Sequence, residues 1–228
     1  MLSRIPPVVR ALLIANVVAF LLQLIVPKAW IVPLKLWPWR PDSDLATLGA
    51  TFMPWQMVTS AFLHAGPLHL AFNMLGLVMF GTALEYKWGA RRFLVYYMVS
   101  VIGASLCQLA VATWSVRSGH GGYPSLGASG GVYGLILAYG LLFPTDRVMM
   151  FFPPIPMAAR TLAIVYGALA LLYGLAGDES GVAHFAHLGG MLAGGLMILL
   201  WRGRRPPGAS PPAAPRRRKR PSHLRVVK

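Results

Sequence analysis

The sequence predicts an all-α polytopic membrane protein, a bundle of six transmembrane helices. Three observations predict it. Apolar residues make up 56% of the 228-residue chain and charged residues 12%, with a mean hydropathy of +0.59; a soluble domain carries about 25% charged residues. The charges are also segregated, because long stretches hold none while the last 27 residues hold ten Lys and Arg. Finally, six apolar runs approach the ~20 residues that a helix needs to cross hydrocarbon.

The first run, 8–26, carries one charge, Arg10. No clear small-residue cleavage site follows it, so it is expected to be a span and not a removable leader. The second, 68–84, holds no charge before Glu85 and contains His69 and Asn73. The third, 93–114, follows Arg91 and Arg92 and includes the lone cysteine, Cys107, which reads as a small buried hydrophobe. The fourth, 128–143, is short and rich in glycine. The fifth, 161–176, follows Arg160, and the sixth, 183–201, precedes the basic tail. No added seventh span or large soluble domain is expected. Residues 1–202 form the six-span domain, and 203–228, basic and Pro-rich, form a tail that cannot build a packed core.

Lys and Arg set the orientation. With both ends on one side, that side holds 17 of the 21 basic residues, against 4 at Lys28, Lys35, Arg40 and Arg117. The bias places both termini in the cytoplasm, and the expected location is a bacterial inner membrane. The net charge of +15 lies mostly in the tail beside a span, where basic residues fix topology and touch anionic lipid; nucleic acid is not an expected partner. The long loop 27–66 on the other side holds Trp30, Trp37, Trp39 and Trp55. Tryptophan favours the membrane–water boundary, so this loop is expected to lie in the interface.

Polar side chains inside spans are costly and usually have a task. His69 and Asn73, four residues apart, share one helix face and can aim two donors at one point. Hydrogen bonds between helices are the alternative use for such a pair. Ser129 lies in Gly127-Ala128-Ser129-Gly130-Gly131, after a Gly- and Ser-rich stretch, which places it near the start of a helix and facing a pocket. Free N–H groups at that helix end would suit a developing oxyanion. Tight packing is the alternative reading of the serine. His187 precedes Gly190 and Gly194, a spacing that lets another helix come close. If that helix is the fourth, imidazole and hydroxyl meet, and histidine is the usual base for a serine nucleophile. No acidic third member is evident. Tyr133, one turn after Ser129, is placed to stack on His187. A metal site from His64 with His69, or His184 with His187, lacks carboxylate or thiolate partners, and no cofactor is expected.

Together these residues resemble the rhomboid intramembrane serine proteases. The likeness runs through Pro54-Trp55-Gln56, Thr59 to His64, His69 to Met74, Gly81, Glu85, Gly89 and Arg92-Phe93. It resumes at Gly127 to Gly130 and at Ala186 to Gly190. The resemblance implies a six-helix core whose site opens to the outer side. It makes Ser129 the nucleophile and His187 its base, with Asn73 and His69 stabilising the oxyanion and Tyr133 stacking on the histidine. It gives Glu85 and Arg92 core-steadying contacts, and Gly190 and Gly194, with Gly130, close packing of the fourth and sixth helices. The implied substrates are transmembrane segments of single-span proteins. Gln56 stands where the family often has arginine, which leaves any loop-anchoring contact of that arginine open.

Overall fold

The computed structural model describes residues 4–40, 49–120, 123–149, 154–176 and 183–201. The tail expected over 203–228 lies outside the described residues. In chain order, α1 is Pro7–Ile25, and two short helices, α2 (Lys28–Ile31) and α3 (Gln56–Thr59), lie in the long loop. Then come α4 (Pro67–Trp88), α5 (Ala90–Arg117), α6 (Ser129–Leu142), α7 (Ala159–Ala176) and α8 (His184–Trp201). Each of the six expected spans is a helix. The largest displacements of a boundary are at α4 and α5, which lengthen until only Gly89 separates them. Its φ of +81° turns the chain in one residue, a conformation that glycine adopts without a Cβ penalty.

Five of these helices are long and apolar enough to cross a membrane, and α6, with 14 residues, is the short one. At 1.5 Å per residue it spans ~21 Å of a ~30 Å hydrocarbon layer. The helix is thus shorter than that layer is thick, and Ser129 is its first residue.

One element was outside the all-α expectation. β1 (Arg147–Met149) pairs antiparallel with β2 (Pro156–Ala158), Arg147 opposite Ala158, between α6 and α7. Strands of three residues, one starting at proline, give too short a period to be read from sequence.

The bundle is built around α6, which packs against α4, α5, α7 and α8. The core includes Leu77, Leu84, Phe93, Tyr97 and Leu135, all 1% exposed or less. Tyr96 of α5 donates its hydroxyl proton to the Gly134 carbonyl of α6 at 2.8 Å. Glu85 steadies the core in a specific way: its carboxylate accepts the N–H groups of Val8 (3.0 Å) and Val9 (2.8 Å), so α4 caps the start of α1. Arg92 lies over the Trp201 ring, 4.3 Å from its centroid.

Candidate active site

Ser129 is the first residue of α6 and His187 lies in the first turn of α8. Sequence separates them by 58 residues, yet Ser129 Oγ and His187 Nε2 are 2.8 Å apart. Glycine explains the approach. A Cβ on Gly190 would collide with the Gly130 carbonyl, so α6 and α8 touch backbone to backbone one turn below the pair. Gly130 itself lies against Ala104 of α5. A Cβ on Gly194 would first meet Tyr96 and Ser100 of α5, and that Tyr96 hydroxyl is the one bonded to the Gly134 carbonyl of α6.

His187 is 7% exposed. Tyr133 stacks on it, with centroids 4.0 Å apart and planes 7° from parallel. The imidazole Nδ1 is buried and meets no polar partner among the described residues. Among the described residues no carboxylate orients this ring, and Tyr133 packs against it. Both residues open into a cavity of about 630 Å³ between α4 and α7, across one face of α6 formed by Ser129, Val132, Tyr133 and Ile136. The lining is mostly apolar, with His69 and Asn73 from α4 near the serine.

His69 and Asn73 do share a face, but their donors are engaged differently. Asn73 donates one amide hydrogen to the His69 carbonyl at 2.8 Å, which leaves its second hydrogen for the cavity. His69 Nδ1 accepts the Ala65 N–H at 3.3 Å, which puts the ring proton on Nε2. That edge of the ring faces Gly127, where a Cβ would come within 2.8 Å of Nε2, and where φ is +126°. Glycine is thus required at 127 for the loop to pass His69 on its way to Ser129. Beside it, His64 is 1% exposed and edge-on to His69, with centroids 5.1 Å apart. Burial, more than repulsion from His69, pushes the His64 imidazole down to about 4. Among the described residues no three potential metal ligands gather.

The described parts of the long loop, 27–40 and 49–66, brace this site. Leu36 and Ser125 exchange backbone hydrogen bonds at 3.0 and 2.8 Å, and the Gly127 N–H donates to the Ser60 carbonyl at 2.9 Å. Gln56, fully buried, is its anchor. Its Oε1 accepts the Trp37 N–H at 3.1 Å, and its Nε2 donates to the carbonyls of Thr51 (2.9 Å) and Pro33 (3.2 Å). The sequence reading left this anchoring open, and a neutral amide supplies it with both donor and acceptor. Gln23 of α1 was missed altogether: its amide accepts the His64 N–H at 3.0 Å and donates to the His64 carbonyl at 2.8 Å. A glutamine in an otherwise apolar span was the available signal. Of the four tryptophans, Trp30, Trp39 and Trp55 are at least 46% exposed, and Trp37 is partly buried.

A family model described as the Rhomboid domain matches residues 51–204. The chain is 34% identical to the mitochondrial Rhomboid protein 1 of Saccharomyces cerevisiae over 194 residues, covering 82% of this chain and 51% of that protein. It is 32% identical to Rhomboid protease GluP of Bacillus subtilis over 140 residues, covering 61% of this chain and 24% of that one. Rhomboid-like protease 3 of Toxoplasma gondii is 29% identical over 168 residues, covering 69% and 58%. The chain thus spans about half the length of the first of these relatives and about a quarter of the second. The matched region takes in α4 to α8 with the whole Ser129–His187 cavity, and this helical membrane protein belongs to the rhomboid family.

Proposed function

We propose that the protein is a serine-type endopeptidase that cleaves transmembrane segments of single-span proteins through Ser129 and His187. The observation that carries the reading is the 2.8 Å approach of Ser129 Oγ to His187 Nε2, at the end of a short helix and inside a cavity. Two relatives carry the word protease in their names, which agrees with it.

In this mechanism His187 Nε2 takes the hydroxyl proton as Ser129 Oγ attacks the scissile carbonyl carbon. The resulting oxyanion accepts from the Ser129 backbone N–H, the second Asn73 amide hydrogen and His69 Nε2; one such donor contributes about 3 kcal/mol. His187 then protonates the leaving amine. Water, activated by the same imidazole, hydrolyses the acyl-enzyme and frees the serine. A dyad suffices because stacking by Tyr133 holds the ring that an acid would otherwise orient. A membrane helix must unwind to present a peptide bond to Ser129, so Gly, Ser, Ala or Pro near the cut favours cleavage. Lys87, Arg91, Arg92, Arg147 and Arg160, at the α4–α5 and α6–α7 connections, support an orientation with both termini in the cytoplasm and the site toward the outer side. The expectation of a bacterial inner membrane gains nothing from relatives that include mitochondrial proteins.

The test reconstitutes the protein in liposomes with a single-span test substrate. Cleavage by wild type, and none by Ser129→Ala or His187→Ala, is the expected result. Cleavage that survives either substitution would overturn the assignment.

A further inference from the structure

Among the described residues His187 has no acidic partner, and two rings pack against it. Tyr133 covers one face, and His184, one turn earlier on α8, meets it edge-on, with centroids 6.2 Å apart at 85°. Each of these is in turn braced by a tyrosine of α7. Tyr166 packs against Tyr133, with centroids 5.6 Å apart at 62°. Tyr173 stacks on His184, 5.5 Å away at 25°. Residues seven apart lie on one face of a helix, so a single face of α7 reaches the imidazole by two routes. Tyr166 also lines the 630 Å³ cavity, where a bound substrate segment would lie against it.

We propose that Tyr166 and Tyr173 are positioning residues, which set the orientation of His187 through Tyr133 and His184 and so link the placement of α7 to the activation of Ser129. The inference rests on the reading of Ser129 and His187 as nucleophile and base. It uses ring contact and not hydroxyl chemistry, so phenylalanine replaces tyrosine at both positions.

The experiment compares Tyr173→Ala, Tyr173→Phe, Tyr166→Ala and Tyr166→Phe with wild type and with Leu172→Ala, a change at an exposed α7 neighbour. Three quantities are measured: the rate of Ser129 labelling by a fluorophosphonate, kcat and KM on a single-span substrate, and thermal stability in detergent. A stacked aromatic pair is worth ~0.5–1.5 kcal/mol, which is about a two- to tenfold change in rate. Both alanine variants are expected to lose about that much in labelling rate and kcat, with KM unchanged in Tyr173→Ala, which lies off the cavity lining, recovery in the phenylalanine variants and no loss in Leu172→Ala. Alanine variants that label and turn over at the wild-type rate would overturn this proposal alone. So would phenylalanine variants as slow as alanine, or a loss confined to KM or to thermal stability. Wild type that neither labels nor cleaves would remove the dyad reading and this inference with it.

Discussion

α7 and α8 are both apolar helices of 18 residues, and they sit in the bundle very differently. α8 packs by backbone: Gly189 lies against Cys107 and the Gly103 carbonyl, Gly190 against the Gly130 carbonyl, and Gly194 against Tyr96. α7 packs mostly by side chains, apart from the Ala159 carbonyl, which lies against Gly140 of α6. The buried residues of α7 are Ala159, Leu162, Ala163 and Ala170, and a Cβ on its Gly167 would meet only the Met191 side chain, at 3.5 Å. Ile164, Leu172 and Leu175 are 63–70% exposed. His187 is therefore carried by the more closely packed helix, while the helix that walls the cavity has less packing to break than α8. That division suits an enzyme that must hold two reacting atoms at fixed separation while admitting a segment as wide as a polypeptide.

The comparison can be broken at several points. His187→Ala should lower the rate of cleavage by roughly 10⁴-fold or more, the size of loss seen when a serine hydrolase loses its base, read from initial rates in liposomes. Gly190→Ala drives a methyl into a backbone carbonyl that has nowhere to go. It should destabilise by about 3 kcal/mol and abolish activity, measured by thermal unfolding in detergent and by Ser129 labelling. Retained labelling would mean that α8 can move after all.

Next comes pH. His64 is buried neutral, with a folded-state value near 4 against 6.5 for the free side chain. Below pH 6.5 the unfolded chain takes up the proton and the native state does not. Stability is thus complete above that value and falls as pH drops toward 4, by up to about 3 kcal/mol. His64→Asn should flatten the lower part of that pH–stability curve. Gln56→Ala strips the Trp37 N–H and the Thr51 carbonyl of their partner, while the Pro33 carbonyl keeps Trp55 Nε1; it should cost ~2 kcal/mol with a looser loop, seen as faster proteolysis there. Ile164→Ala on the lipid-facing side of α7 should change unfolding by less than ~0.5 kcal/mol. A larger effect would show that α7 is held more firmly than its packing indicates.

Particular residues show what sequence reading reaches. The six spans were legible because transfer of apolar residues into hydrocarbon is a local sum over ~20 neighbours. Tyr133 was legible as a partner of His187 only after Ser129 and His187 were assumed to meet. Gln56 looked like a departure, since nothing local says that Trp37, Thr51 and Pro33 present it with one donor and two acceptors. Small-residue spacing at Gly194 announced a close contact but not that Tyr96 and Ser100 of α5 would be its nearest neighbours. Glu85 was placed in the core, while its task as a cap on α1, 76 residues away, was invisible.

What the sequence determined by itself is the membrane class, the number and approximate position of the spans, the excess of basic residues on one side and the residue types able to do the chemistry. These follow from short-range free energies of burial and charge. The tertiary structure alone decided that Ser129 and His187 face each other at 2.8 Å, that the long loop braces the serine through Leu36 and Ser60, and that α7 reaches the imidazole through rings. Those facts depend on which helix faces meet, and helix faces are chosen by steric fit between residues far apart in the chain.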